Sequence, residues 1–141
     1  MATNILTAWR QAVVELLEEK FPDFTVYSGF REGQHRDMSV ISVFSPGIAE
    51  RAQNVQVAEL RLLVRAWPKV VPAAGGERPL DPEPLEDLAL RLEAALRGAQ
   101  TTLASANGVW FSRLQQVQID YEEWGCQAQL TAWADNPAVI A

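Results

Sequence analysis

Between Glu59 and Ala66 the chain alternates without a break: Leu60, Leu62, Val64 and Ala66 fall on one parity, Glu59, Arg61, Leu63 and Arg65 on the other. Successive side chains of a β-strand point to opposite faces, so this stretch reads as a strand with one core face and one mostly charged face. The strand is predicted over 55–67. It constrains the rest of the chain, which must build one apolar layer and leave the opposite side of the sheet to solvent or to a partner.

The remaining segments sort by their apolar period. Over 5–20, Ile5, Trp9, Ala12, Val13, Leu16 and Leu17 recur every three or four residues, the signature of an amphipathic helix. Thr3 or Asn4 is placed to cap its start, and Pro22 bars its continuation. A short strand follows, with Phe24 and Val26 on one side and Thr25 and Tyr27 on the other. The polar, glycine-containing run 29–37 is a predicted loop, and 38–44 a strand with apolar residues on both parities. Pairing of 38–44 with 55–67 across the connection 45–54 gives a long hairpin.

Residues 68–82 hold Pro68, Pro72, Pro79, Pro82 and the pair Gly75–Gly76, too many breakers for regular structure, and form a predicted surface loop. Asp81 offers an N-cap and Pro82 the first position of a second helix, whose apolar stripe is Leu85, Leu88, Ala89, Leu92, Ala95 and Leu96. Two last strands follow. Val117, Ile119 and Tyr121 alternate with Gln116, Gln118 and Asp120, with Leu114 breaking parity at an expected bulge. After the turn at 122–125, Cys126, Ala128, Leu130, Ala132 and Ala134 alternate with Gln127, Gln129, Thr131 and Trp133.

The order helix, three strands, helix, two strands predicts a single α+β domain over 1–141: a largely antiparallel mixed sheet of about five strands with both helices on one face. Its 141 residues, 48% of them hydrophobic, suffice for one core without staples. The free face is expected to carry Glu59, Arg61, Leu63, Arg65, Gln116, Gln118, Gln127, Gln129, Thr131 and Trp133, a polar surface studded with large apolar groups, as wet protein interfaces are.

Chemistry is poorly provided for. His35 is the lone histidine and lies in a polar loop, so a multi-histidine metal site is excluded. Cys126, the lone cysteine, falls on the buried parity of the last strand, where a thiolate is disfavoured; one cysteine fits a reducing compartment and precludes an internal disulfide. No nucleotide-binding glycine motif, nucleophile elbow or zinc-protease motif occurs. We expect neither an enzyme nor a cofactor. With 12 Lys plus Arg against 18 Asp plus Glu, the chain lacks the clustered cations that gripping nucleic acid requires. No apolar run approaches the roughly 20 residues of a membrane-spanning helix, and no signal-peptide pattern precedes the first helix. Trp9 is expected in the core. Trp67, Trp110, Trp124 and Trp133 sit at strand ends, a turn or the polar parity, where anchoring a partner competes with packing.

In size and order of elements the sequence resembles the tail terminator (tail completion) proteins of long-tailed bacteriophages. The likeness runs through FTVYSG, MSVISVF and VQVAELRLLVRAW, the Pro-rich loop, PLEDLALRLEAALRG and VQIDYEEWGCQAQLTAWAD, nearly the whole chain. It implies a virion protein, assembled in the host cytoplasm, that forms a homo-oligomeric ring, usually a hexamer. Such a ring caps the head-proximal end of the tail tube, stops its growth and offers a surface to the head-tail connector, with DNA only passing through the lumen. Other neck or tube-like components share this build, and a small ligand-binding domain is a more distant alternative. Candidate contact residues are Arg31 and Arg36 in the loop 29–37, then Glu59, Arg61, Arg65, Trp67, Trp124 and Trp133. The loops 29–37, 45–54 and 68–82 are candidate contacts with adjacent rings.

Overall fold

The computed structural model describes residues 4–30, 38–50, 57–69, 82–100, 109 and 111–135. The elements run α1 (Ile5–Lys20), β1 (Thr25–Ser28), β2 (Val40–Phe44), β3 (Ile48–Glu50), β4 (Val57–Trp67), α2 (Glu83–Gly98), β5 (Phe111–Asp120) and β6 (Gly125–Asp135). This is the expected α+β class. The sheet order is β1-β2-β4-β6-β5, and only the β1–β2 pair is parallel.

Asn4 caps α1, its Oδ1 accepting from the Thr7 amide at 2.7 Å, so of the two residues able to serve, Asn4 does. The helix buries Trp9, Val13, Val14 and Leu17. α2 starts one residue later than expected: Pro82 is the N-cap rather than the first helical residue, and Pro84 occupies the first turn, where a missing amide costs nothing. Asp81, the expected cap, lies outside the described residues. α2 buries Leu85, Leu88, Leu92 and Leu96. Both helices cover the same side of the sheet, where Ile41, Val43, Leu60, Leu62, Val64, Ala128, Leu130 and Ala132 are sealed from solvent.

One strand was not expected. The connection 45–54 contains β3, which pairs with β4 below β2. Phe44 sits opposite Leu63 and Ile48 opposite Leu60, so four steps on one side match three on the other. β2 and β3 thus form one arm of a long hairpin interrupted at Ser45–Pro46–Gly47, where Ser45 Oγ accepts from the Gly47 amide. Proline cannot donate to the ladder, which gives the interruption its physical cause. The expected order of three strands before α2 is therefore corrected to four. The expected bulge in β5 is present: Leu114 faces Leu130 but Gln116 faces Gln129, leaving Gln115 as the extra residue.

Candidate functional site

The face of the sheet opposite the helices is assembled by register alone. Glu59, Arg61, Leu63 and Arg65 of β4 stand beside Trp133, Thr131, Gln129 and Gln127 of β6, and these in turn beside β5, where Arg113, Gln116 and Gln118 face Thr131, Gln129 and Gln127. On the far side Ser42 and Phe44 of β2 face Arg65 and Leu63. All the residues assigned to the free face from parity occupy it, and among the described residues no element lies over it.

The side chains on this face hold one another. Arg61 donates to the Glu59 carboxylate from Nη2 at 2.8 Å and from Nε at 3.1 Å, with Arg61 43% exposed. Arg65 donates from Nε to Gln127 Oε1 at 3.0 Å while its guanidinium lies 5.3 Å from the Phe44 ring centroid. The bulge turns the Gln115 amide onto this side, where Nε2 donates to Thr131 Oγ1 at 2.7 Å. Arg113 is exposed and has no ion-pair partner among the described residues.

At the β1 side, Gly29 takes φ +137°, a conformation that favours glycine, and carries the chain over the sheet so that Phe30 meets Phe44 edge-to-face at 5.2 Å. Its carbonyl accepts from the buried Ser42 hydroxyl and its amide donates to the Val43 carbonyl.

The candidate residues separate into three groups. Glu59, Arg61, Arg65 and Trp133 are brought together on the free face. Trp67 shares the same parity but is only 7% exposed, its ring laid over Gly125, so it offers little surface to a partner. Trp124 sits in the β5–β6 turn at φ +54° and packs against the core and Tyr121, away from the free face. Arg31 and Arg36 lie outside the described residues, as do Trp110, most of the loops 29–37 and 68–82, and part of 45–54.

Arg113, Phe30 and Phe44 also belong to this surface and were not among the candidates. Arg113 could have been found by counting parity separately on each side of the bulge, since it directly precedes the buried Leu114.

Beside the β5–β6 turn the free face ends in an open cleft of about 1190 Å³, lined among others by Phe30, Arg65, Trp67, Gln118, Tyr121 and Glu123. Asp120 at its edge is engaged, its Oδ1 accepting from the amides of Glu122 and Glu123. Cys126 touches this region but its thiol turns inward, donating to the Leu85 carbonyl at 3.5 Å. Burial pushes its pKa up to about 12, so the thiol stays protonated and a poor nucleophile. Trp9, as expected, is fully buried. Among the described residues no group of three or more His, Cys, Asp or Glu is placed to hold a metal ion, and no helix is long and apolar enough to cross a membrane. Compared with known proteins, the chain matches no family model and no curated protein.

Proposed function

We propose that this protein is a structural virion component that self-associates into a ring and caps the head-proximal end of a phage tail tube, ending its growth and presenting a surface for head-tail joining. The observation that carries this is the free sheet face. It is a wide β-surface of arginines, amides and half-buried apolar groups, cross-linked within itself and built on a rigid core. Burying such a surface against another protein keeps its hydrogen bonds satisfied while covering Leu63 and Trp133. The order of elements, which resembles that of tail terminators, gives the reading its specific form: a ring, normally of six copies, between the tube protein and the head-tail connector, with DNA passing through the lumen.

Capping needs two unlike axial surfaces, one complementary to the last tube ring and one unable to template another. A ring closed by head-to-tail contacts has two such surfaces by symmetry. The test adds the purified chain to polymerising tail tube protein and measures tube length by electron microscopy. Shortened tubes with a ring at one end are expected; unchanged lengths and bare ends overturn the reading.

The cleft beside the β5–β6 turn favours a second reading, a small-ligand domain, because aromatic and polar groups converge there. That reading predicts a saturable change in Trp67 fluorescence with a small molecule bound by the isolated subunit.

A further inference from the structure

The path of the sheet ends in β1 at one side and in β5 at the other. A strand with one neighbour presents a row of backbone N–H and C=O groups ready to pair with another chain. The first half of β5 is blunted: the bulge at Gln115 twists it, and Gln100 Oε1 accepts from the Leu114 amide at 2.8 Å. Over 116–120 no described group pairs with the outer edge.

Which backbone groups face outward follows from the hydrogen-bond alternation, since successive residues of a paired strand turn toward opposite neighbours. On β1 the amides of Thr25 and Gly29 donate to the carbonyls of Ser39 and Val43, so Thr25 and Tyr27 face β2, and Val26 and Ser28 face out. Val43 is thereby turned to β1, which turns Ser42 and Phe44 to β4. The same count carries across the registers: Val64 and Ala66 face β6, Gln127 and Gln129 face β5, and Gln116 and Gln118 face back. Val117 and Ile119 are left facing out. Before the bulge the count puts the Leu114 amide outward, where its bond to Gln100 lies.

The registers also fix the heights. Val26 is level with Ile41, Ala66, Cys126 and Ile119; Tyr27 with Ser42, Arg65, Gln127 and Gln118; Ser28 with Val43, Val64, Ala128 and Val117. β1 therefore stands at the height of the open half of β5, on the opposite edge. The two strands run antiparallel, because β1 shares its direction with β2 and three antiparallel pairs separate β2 from β5.

We propose that β1 of one copy adds to the open half of β5 of a second copy, with Val26 opposite Ile119, Tyr27 opposite Gln118 and Ser28 opposite Val117. This rests on the ring reading above and specifies the contact that closes the ring. A copy turned about an axis along the strands brings its β1 to β5 at this height and in this direction, with no shift along the strand. In that register outward backbone meets outward backbone at two pairs, Val26 with Ile119 and Ser28 with Val117. The faces match as well: Val26, Val117 and Ile119, each partly buried against the core at an end of the inner layer, cover one another, while Tyr27 and Gln118 continue the free face. The contact is head-to-tail, and a closed ring leaves neither edge open.

The experiment places cysteines in the full chain and reads disulfide-linked species on non-reducing gels after mild oxidation. Tyr27 and Gln118 meet at a non-hydrogen-bonded pair, where Cα atoms lie about 4.5 Å apart and a disulfide is within reach. A chain carrying Tyr27→Cys and Gln118→Cys is expected to give a ladder of linked subunits. Tyr27→Cys with Gln116→Cys sets the two positions diagonally, roughly 7–8 Å apart, and is expected to link at least about fivefold less. Ser28→Pro removes an outward amide that no described group of the subunit accepts, and an edge strand tolerates the proline. It is expected to keep the wild-type circular dichroism spectrum and to weaken self-association in sedimentation velocity by roughly tenfold. Either measurement decides should the other variant misfold.

A wild type that stays monomeric, the absence of a ladder from Tyr27→Cys with Gln118→Cys, equal ladders from both cysteine pairs, or a folded Ser28→Pro chain that associates like wild type overturns the contact. The outcome is separable from capping. A register-specific ladder with tube length unchanged overturns the capping reading alone, and shortened tubes without the ladder overturn the edge contact alone.

Discussion

On the helix side of the sheet Leu60, Leu62, Val64 and Ala66, with Ala128, Leu130 and Ala132 beside them, are sealed by α1 and α2. On the other side the residues interleaved with them along the same strands are Glu59, Arg61, Leu63, Arg65, Gln127, Gln129, Thr131 and Trp133, with no described element above. The first set is explained by folding. Its side chains are apolar and fully buried, each worth about 1.5–3 kcal/mol for the larger aliphatics. The second set is not required by folding to the same degree, because a solvent-facing strand parity is served equally well by many polar residues. What distinguishes it is that its groups are organised: a two-point Arg61–Glu59 pair, an Arg65–Gln127 bond stacked on Phe44, and a bulge that spends an extra residue to bring Gln115 to Thr131. The comparison teaches that the sealed face is ordered by burial, whereas the free face is ordered by hydrogen bonds and an ion pair among its own side chains.

The largest expected effect tests the sealed side. Leu62 is fully buried at the centre of β4, and Leu62→Ala removes its packing and leaves a cavity, with an expected cost of about 2–5 kcal/mol by urea denaturation. A loss under about 1 kcal/mol would mean the two faces differ less in packing than their burial indicates.

Next is a part of the free side that is buried like a core. A Cβ added at Gly125 would lie 2.6 Å from Trp67 Cδ1 and 2.8 Å from the Ala66 carbonyl oxygen. The backbone oxygen cannot step aside cheaply, so Gly125→Ala is expected to cost about 1–3 kcal/mol. A neutral result would show that Trp67 is free to move and available to a partner after all.

The same contrast decides how much was legible in the sequence. The inner parity was readable in β4 and β6, where burial imposes an unbroken apolar period, and the outer parity followed from it. The failures came where the period was interrupted. β3 is three residues long, follows a proline and leaves Ile48 53% exposed, so it carries no alternation to read. Arg113 lay beyond the bulge, where the count of faces resets. Trp67 and Trp124 show a different limit: a large aromatic near a strand end packs on its own chain or on another according to local geometry, here a glycine beneath the ring of Trp67 and a left-handed turn residue at Trp124.

A smaller effect is expected from charge that is satisfied within the subunit. Arg91 lies over the Phe21 ring at 4.5 Å and reaches Asp23 at 3.2 Å, joining α2 to the segment after α1. Its hydrogen bond to the carboxylate holds the Asp23 pKa below the usual 3.8. A carboxyl depressed in the folded state contributes its stability above the unfolded pKa and loses it as pH falls through the lower folded value. Both partners are about half exposed, so solvent screening keeps the contribution to about 0.2–1 kcal/mol. Asp23→Asn is expected to remove that increment at neutral pH and to flatten the acid limb of the stability curve below 3.8, read from thermal midpoints across the pH range.

The smallest expected effect on folding is the most informative about the free face. Arg113 is exposed, unpaired among the described residues and set beside Thr131 on an edge strand, so the fold gains little from its charge. Arg113→Ala is expected to change subunit stability by less than about 0.5 kcal/mol, as surface substitutions away from special features do. Asp23 and Arg113 thereby form a matched pair of tests: one charge used inside the subunit, whose loss registers in unfolding, and one whose loss does not. A substantial destabilisation by Arg113→Ala would assign the arginine to the fold, alongside Arg61 and Arg65, whose side chains are already bound within the subunit.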